Sequence, residues 1–429
     1  MLTGAPAIHH LLRHRWITGC RYLSAIISGF SLFIVLLLTL TSWLHKPTIK
    51  PLNPLIPLDP DLVDLTLLRN ATEKNAVCLD GSLPGYHLQR GSGSGAESWV
   101  LHLQGGGWCS TVDSCSSRQE TPLGSSHYMP RQALFVGILS QSSSLNPDFY
   151  NWNRVKIRYC DGGSFSGDTM VQAKNGRKLF FKGQRIWEAI IDELLSEGLG
   201  KSKQAFLTGC SAGGLATFIH CDNFRALMPK GANVKCLADA GFFLDEKDIS
   251  GKRTMQSFYN EVVRLQDVGR NLPNECTKRT KPSQCFFPRE LIKTIKTPFF
   301  IVNPGYDFWQ IQHILVPKAS DPELHWLRCK KNIHHCDSNQ IYVLQGYRTS
   351  MLDALSEFQH KKDAGMFINS CYMHCQTANN ITWHSPTSPR INNKTIAEAV
   401  GDWYFGRREV KDIDCPYPCN PTCYHMNFN

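Results

Sequence analysis

The sequence predicts an α/β protein with a mostly parallel sheet and helices on both of its faces. Short apolar runs of strand length alternate along the chain with segments of helical spacing, and this alternation is typical of parallel sheets. Of the 429 residues, 42% are hydrophobic and 19% are charged, so the chain can bury a sizeable core. This composition excludes a wholly disordered chain.

The predicted elements follow in order along the chain. Strand-like runs occupy residues 99–103, 154–160, 204–208, 234–238, 298–303 and 365–369, and helix-like segments occupy residues 183–196, 212–225 and 350–360. A turn signal at Asp80-Gly81, between short apolar pieces, predicts a hairpin over residues 77–88. No linker interrupts residues 61–429, which we therefore expect to form a single domain.

The N-terminal region predicts entry into the secretory pathway. Residues 25–44 contain no charge and are long enough to span a bilayer as a helix, and three arginines precede them. We expect a basic cytoplasmic segment over residues 1–24, a signal anchor or a signal peptide over 25–44, and a proline-rich linker over 45–60. The rest of the chain then reaches the cell wall or the extracellular space, or stays anchored as a type II protein. Membrane contact is expected only through residues 25–44.

The cysteines and the glycosylation motifs agree with this route. Cys20 lies on the cytoplasmic side of the apolar run at residues 25–44, which leaves 16 of the 17 cysteines beyond the run, an even number. An even count in a secreted chain predicts disulfides without fixing their pairing. N-x-S/T motifs mark Asn70, Asn380 and Asn393 as glycosylation sites.

The charge balance argues against a nucleic-acid partner. The chain has 46 basic and 36 acidic residues, and five of the basic residues lie within the first 50 positions, where there is no acid. The remainder has only a mild positive bias, without the strongly basic composition of a nucleic-acid-binding domain. We expect no nucleic-acid partner and a monomeric protein.

The strongest motif is a G-x-S-x-G sequence at residues 209–213 (GCSAG). It lies between a predicted strand and a predicted helix, which is the context of the nucleophile elbow in the α/β-hydrolase fold. The flanking glycines suit a turn that is too tight for a Cβ atom, and the following helix directs its N-terminus towards developing negative charge. The motif predicts Ser211 as a catalytic nucleophile, with an ordinary glycine turn as the alternative.

A glycine run follows the first of these predicted strands, at residues 103–108 (LQGGGW). A strand that leads into such a run upstream of the nucleophile resembles the oxyanion loop of lipases and esterases. We expect the backbone N–H groups of Gly107, Trp108 and Ala212 to form an oxyanion hole. A flexible surface loop is the alternative.

Two aspartates and two histidines compete for the other positions of a catalytic triad. Asp239 ends the first predicted strand after the elbow and Asp307 follows the second, which is the usual place of the acid and favours Asp307. His374 follows the last predicted strand, where the base is expected, and His384 is its rival ten residues later. A triad of Ser211, His374 and Asp307 works through an acyl-enzyme and requires no metal or organic cofactor.

A C-x-x-x-C pattern surrounds the favoured base, since Cys371 and Cys375 flank His374. Such a cluster can bind a metal ion. In a cysteine-rich secreted chain, disulfides are the favoured interpretation, and we expect no metal site.

Eight ordered sequence blocks carry a family resemblance. They are GGGWC (105–109), NPDFYNWN (146–153), YCDGGSFSGD (159–168), GCSAGGLA (209–216), DAGFFLD (239–245), NPGYDFWQI (303–311), CYMHCQT (371–377) and GDWYFGR (401–407). In these blocks the chain resembles plant pectin acetylesterases and, more distantly, the animal Notum carboxylesterases. The family's catalytic serine, aspartate and histidine fall on Ser211, Asp307 and His374. The resemblance implies hydrolysis of acetyl esters on galacturonan in the plant cell wall, with acetylated pectin as the partner.

Two other functions stay open at this level. A Notum-like lipid or protein deacylase would need a deep apolar pocket, and a non-catalytic hydrolase-fold binding protein usually lacks a triad member, whereas this sequence keeps all three. Residues 174–185 hold five basic residues and no acid. Such a patch can bind the carboxylates of a pectin chain, with a solvated basic loop as the alternative.

Overall fold

The computed structural model describes residues 62–174 and 176–428, which contain twelve strands and eleven α-helices. The strands are β1 (Leu62–Leu67), β2 (Gly85–Gln89), β3 (Ser98–Leu103), β4 (Gln132–Leu134), β5 (Asn153–Ile157), β6 (Thr169–Gln172), β7 (Lys178–Phe181), β8 (Gln204–Cys210), β9 (Asn233–Asp239), β10 (Phe299–Val302), β11 (Ala364–Ile368) and β12 (Lys411–Ile413). The helices are α1 (Val112–Arg118), α2 (Gly183–Ser196), α3 (Ala212–Leu227), α4 (Thr254–Gln266), α5 (Asn274–Thr277), α6 (Pro288–Leu291), α7 (Phe308–Gln310), α8 (Leu327–Lys331), α9 (Ser338–Gln359), α10 (Asn380–Trp383) and α11 (Ile396–Tyr404).

Ten of these strands form one sheet, in the order β12-β11-β10-β9-β8-β3-β5-β2-β1-β4. The seven strands from β12 to β5 are parallel, and β2, β1 and β4 extend the sheet in antiparallel pairs. Strands β6 and β7 form a separate antiparallel pair. The predicted α/β class with a mostly parallel sheet is confirmed.

Helices cover both faces of the sheet because the central strands present apolar side chains on each face. On one face, Leu101 of β3 belongs to a core cluster with Ile190 of α2 and Leu215 of α3. On the other face, Val100 belongs to a second cluster with Val400 of α11. Burial on both faces is typical of the parallel part of α/β folds.

The order in which strands join the sheet reverses at β3. Strand β5 lies on one side of β3, whereas β8, β9, β10, β11 and β12 follow one another on the other side. In open parallel sheets, the carboxyl ends of the strands at such a switch point form the usual binding crevice. The loops that follow β3 and β8 therefore meet where a site is expected, and Leu103 pairs there with Gly209.

The predicted hairpin over residues 77–88 is wrong. Its Asp80-Gly81 turn exists, since the Cys78 N–H donates to the Ser82 carbonyl over 2.9 Å. Only β2 is a strand, however, and it pairs with β1 and β5 rather than with the residues before the turn. A turn signal shows where the chain bends and does not show which strands pair.

The predicted disulfides are confirmed, because all 16 cysteines from Cys78 onward are paired. The eight bonds are Cys78–Cys160, Cys109–Cys115, Cys210–Cys375, Cys221–Cys236, Cys276–Cys285, Cys329–Cys336, Cys371–Cys423 and Cys415–Cys419. Two of them, Cys78–Cys160 and Cys210–Cys375, close long stretches of chain, with separations of 82 and 165 residues.

The predictions for residues 1–24, 25–44 and 45–60 lie outside the described residues. Within the described ranges, the helices are all too short or too polar to cross a bilayer.

The three glycosylation motifs lie at or near the surface. Asn70 and Asn393 are exposed. Asn380 is half-buried, and its Oδ1 accepts a hydrogen bond from the Gly137 N–H over 2.7 Å. Glycosylation at these positions stays a prediction.

Candidate active site

Ser211 lies in a sharp turn between β8 and α3. Its φ of 58° and ψ of −125° are strained for a residue with a side chain. A Cβ atom on Gly213 would overlap the Leu103 carbonyl oxygen, so the turn requires glycine there. The Ser211 N–H donates to the Asp239 carbonyl over 2.9 Å, which fixes the turn against the end of β9. This geometry is that of a nucleophile elbow.

The glycine loop after β3 lies directly against this elbow. A Cβ atom on Gly105 would come within 2.8 Å of the Ser211 Cβ. No described residue accepts a hydrogen bond from the backbone N–H groups of Gly107, Trp108 or Ala212. Free donors beside a nucleophile can stabilise a developing oxyanion.

His374 and Asp307 form a close pair at the ends of two neighbouring strands. His374 Nδ1 lies 2.9 Å from each carboxylate oxygen of Asp307, which is fully buried. Asp307 also caps α7, where its Oδ1 accepts from the N–H groups of Trp309 at 2.9 Å and Gln310 at 3.2 Å. These bonds fix the carboxylate, which in turn orients the imidazole.

The other nitrogen of the imidazole, His374 Nε2, is buried and has no hydrogen-bond partner among the described residues, Ser211 included. Because Nδ1 faces a carboxylate, it carries the proton in the neutral ring and Nε2 is an acceptor. A disulfide joins Cys210, beside Ser211, to Cys375, beside His374, and a ring nitrogen of His374 lies within 4.8 Å of both sulfur atoms. The imidazole is therefore held beside the elbow.

The rival aspartate and histidine have other partners. The Asp239 Oδ2 accepts from the N–H of Thr377 at 2.6 Å and from its hydroxyl at 2.8 Å, and burial raises the pKa of Asp239 to about 6. His384 Nδ1 lies 2.9 Å from the Thr395 hydroxyl. The structure thus brings Asp307, and not Asp239, to His374, while Asp239 fixes the loop that carries His374.

Both cysteines of the C-x-x-x-C pattern are used in disulfides, as the sequence favoured. Cys371 pairs with Cys423, and Cys375 pairs with Cys210. In these disulfides neither cysteine is available as a thiolate ligand for zinc.

Two residues that the sequence analysis missed support the predicted oxyanion hole. The Ser164 hydroxyl accepts from Trp108 Nε1 over 2.7 Å and donates to the Ala212 carbonyl over 2.8 Å. The Tyr159 hydroxyl donates to the Gly107 carbonyl over 2.8 Å and accepts from the Ser164 N–H over 3.0 Å. Each of the three predicted donor residues is therefore held by one of these two hydroxyl groups. Their only signal in the sequence was the block at residues 159–168.

Aromatic rings line the region between the glycine loop and the imidazole. The Trp108 ring packs edge-on against Phe243, with centroids 4.9 Å apart, and against Tyr259 at 5.1 Å. Trp309 continues this wall, at 5.7 Å from Trp108 and 6.2 Å from His374. Phe243 and Tyr259 are fully buried.

Three of the five basic residues in the segment 174–185 form ion pairs. Arg177 pairs with Glu120 at 2.8 Å, and Lys182 and Arg185 both pair with Asp168 at 2.9 Å. These ion pairs weaken the hypothesis that this segment is the binding site of a polyanion.

Comparison with known proteins gives a consistent assignment. The family model described as Pectinacetylesterase matches residues 58–424. Pectin acetylesterase 5 of Arabidopsis thaliana is 60% identical to this chain over 382 residues, which cover 89% of each chain. Pectin acetylesterase 4 of the same plant is 56% identical, over 85% of this chain and 88% of its own. The solved structure of the Wnt deacylase Notum from Drosophila has a TM-score of 0.70 and 25% identity, over 84% of this chain and 99% of that one. The chain belongs to the pectinacetylesterase family.

Proposed function

We propose that this protein is a serine esterase that removes acetyl groups from the galacturonan of pectin, with Ser211, His374 and Asp307 as its catalytic triad. Membership of the family supports the reaction and the substrate. The observation that carries the catalytic assignment is the contact of His374 Nδ1 with both oxygens of a buried Asp307, while Nε2 has no described partner beside the Ser211 elbow.

In the proposed reaction, the Ser211 Oγ attacks the carbonyl carbon of the acetyl ester as His374 Nε2 takes its proton. The N–H groups of Gly107, Trp108 and Ala212 stabilise the oxyanion, and the loss of one such donor typically costs about 2.7–4 kcal/mol. The bond to the sugar oxygen then breaks, and Nε2 returns the proton to that oxygen. A water molecule, activated by Nε2, attacks the acyl-enzyme and releases acetate.

The aromatic wall favours a small acyl group over a long chain. Trp108, Phe243 and Trp309 pack on one another beside His374, with centroid distances between 4.9 and 5.7 Å. Rings in mutual contact occupy volume that a long acyl chain would need. The lipid or protein deacylase is therefore the second candidate.

The disulfides support an oxidising destination. Eight bonds in the described part of the chain suit a protein that passes through the secretory pathway to the cell wall. Within this proposal, residues 25–44 act as the signal peptide or as a membrane anchor.

The first test measures acetate release from acetylated pectin by the wild type and its variants, secreted from a eukaryotic host so that the disulfides form. We expect Ser211→Ala and His374→Gln to lower kcat/KM by at least ~10³-fold, because each removes a group that acts on the reacting atoms. The matched control is His384→Gln, which changes the rival histidine and should leave kcat/KM within a factor of about two.

The alternatives give different outcomes in the same assay. Equal acetate release by the wild type and Ser211→Ala would exclude Ser211 as the nucleophile. A folded wild type that releases no acetate from pectin but hydrolyses long-chain acyl esters would favour the deacylase, and inactivity on both would favour a binding protein.

A further inference from the structure

One face of the interior strand β5, continued by the residue that follows it, presents a row of cations. Arg154, Lys156 and Arg158 alternate with Val155 and Ile157, which both belong to the core cluster on the opposite face. Interior strands of α/β sheets are usually apolar on both faces, so this row requires an explanation. The position of Arg154 is explained by its hydrogen bonds, because its guanidinium donates to two backbone carbonyl oxygens at 3.1 Å.

The other two cations have no counter-ion in the described part of the chain. No described carboxylate oxygen lies within 4.0 Å of the side-chain nitrogen atoms of Lys156 or Arg158, and neither side chain donates a hydrogen bond to a described residue. Arg158 is only 5% exposed, and its Nε is buried without a partner. Burial and the charge of Arg158 lower the pKa of Lys156, and burial lowers the pKa of Arg158.

The two histidines that pair with Lys156 on the neighbouring strands, His87 of β2 and His102 of β3, supply no negative charge. His87 of β2 lies directly opposite Lys156, and its Nδ1 is 2.9 Å from the Val63 carbonyl oxygen. Burial, together with the charges of Arg158 and Lys156, lowers the pKa of His87 to about 4, so its ring is neutral near pH 6. Its Nε2 is also buried without a partner. Two like charges and a neutral imidazole therefore lie next to one another without a counter-ion among the described residues.

The backbone at Arg158 adjoins the glycine loop of the candidate active site. Ile157 pairs with Leu103, and the Gln104 N–H donates to the Ile157 carbonyl over 3.1 Å, so Arg158 lies about one strand spacing (~4.8 Å) from the start of the glycine loop. The next residue of that loop, Gly105, lies against Ser211. Lys156 is half-buried, so the cluster is not sealed within the core.

We infer that Lys156 and Arg158 form a carboxylate subsite, which binds a galacturonate carboxylate of the pectin chain near the acetylated sugar. This inference rests on the proposed function, because it names a further part of the same substrate site. The Arg158 guanidinium can donate two parallel hydrogen bonds to a carboxylate in a bidentate pair, and the Lys156 ammonium adds a second positive charge. A bound carboxylate also offsets the unfavourable burial of two unpaired cations.

The experiment compares Lys156→Gln, Arg158→Gln and Arg158→Lys on a charged and a neutral substrate. On acetylated polygalacturonate, we expect both glutamine variants to lower kcat/KM by about tenfold or more, mainly through a higher KM, and Arg158→Lys to retain part of the activity. On p-nitrophenyl acetate, which has no carboxylate, all three should match the wild type. The matched control is Lys201→Gln, an exposed lysine that precedes the amino end of β8 and should change neither substrate.

A binding measurement separates this subsite from the proposed reaction. Trigalacturonate without acetyl groups should raise the melting temperature of Ser211→Ala, because a ligand that binds the folded state stabilises it, and Arg158→Gln in the same background should abolish the rise. Equal losses on both substrates, unchanged kinetics on polygalacturonate, or a thermal shift that survives Arg158→Gln would overturn the inference. If the wild type releases no acetate while the thermal shift still depends on Arg158, the proposed function fails and the subsite stands.

Discussion

Ser164 occupies a strained turn whose conformation is fixed from several sides. Ser164 and Phe165 have consecutive positive φ angles of 55° and 57°, which cost free energy for residues with side chains. The buried Asp161 carboxylate holds the turn by accepting from the N–H groups of Gly163 at 3.0 Å and Phe165 at 2.9 Å. The strained turn places the Ser164 hydroxyl between the Trp108 indole and the Ala212 carbonyl.

We expect Ser164→Ala to lower kcat by about 10–100-fold with little change in KM. The change removes the hydroxyl that links the glycine loop to the start of α3, and small displacements of oxyanion donors weaken transition-state stabilisation. Steady-state kinetics on p-nitrophenyl acetate, with circular dichroism as a check of folding, measures the effect. The matched control is Ser166→Ala, since the buried Ser166 hydroxyl of the same turn donates to the Gly163 carbonyl instead. A raised KM with unchanged kcat would contradict this positioning role.

At the residue scale, the sequence predicted those candidate site residues that lie in a local motif or just after a predicted strand. Ser211 follows from a local motif, and Asp307 and His374 follow from the order of the strands that precede them. Ser164 could not be found in this way, because its partners Trp108 and Ala212 lie 56 and 48 residues away along the chain. Which hydroxyl bridges two distant loops is decided by packing, and a single sequence does not report that.

Two connections tie the nucleophile turn to the loop that carries the base. The Cys210–Cys375 disulfide joins the residue before Ser211 to the residue after His374. Asp239 adds a second connection, since its backbone carbonyl accepts from Ser211 and its carboxylate accepts from Thr377. The distance between the proposed nucleophile and the proposed base is therefore set by groups that take no part in the proposed chemistry.

We expect removal of this disulfide, by Cys210→Ser with Cys375→Ser, to lower kcat by about 100-fold in protein that is still folded. The loop is then free to shift, and a displacement of about 1 Å at a catalytic group can cost that much. Initial rates well below the melting temperature separate this effect from the loss of stability. The control removes the exposed Cys415–Cys419 bond by two serine substitutions and should leave kcat unchanged. Equal kcat values for the two double variants would show that the Cys210–Cys375 bond has no positioning role.

At the element scale, apolar runs predicted the buried strands well and the half-exposed strands poorly. The helix over Gly183–Ser196 has its predicted bounds, and β3, β5, β8, β9, β10 and β11 lie within three residues of the predicted strands. Strand β1 was missed because four of its six residues are exposed, which weakens the apolar signal, and β12 has only three residues. The position of β3 between β5 and β8 was not predictable, because hydrogen-bond partners in a sheet are not encoded in the local pattern.

At the scale of the whole molecule, two independent bounds fall close to the start of β1. Contacts define a compact unit over Asp59–Asn429, which contains every disulfide of the described residues. The family match begins at residue 58. These bounds support the predicted single domain over residues 61–429, which stays a prediction until the N-terminal segment before it is removed.

We expect a chain that starts at Asp59, secreted from a eukaryotic host, to keep the melting temperature and the kcat/KM of the full chain on p-nitrophenyl acetate. The matched control starts at Leu68 and so lacks β1, which lies between β2 and β4 in the sheet and buries Val63 in the core. Removing β1 leaves hydrogen-bonding groups of both neighbours unpaired, so we expect the melting temperature to fall by roughly 5 °C or more. An inactive or aggregated Asp59 chain beside an active full chain would show that the N-terminal segment contributes to the fold. Because β1 begins only three residues after Asp59, the contrast between the two truncations locates the boundary of the domain to within a few residues.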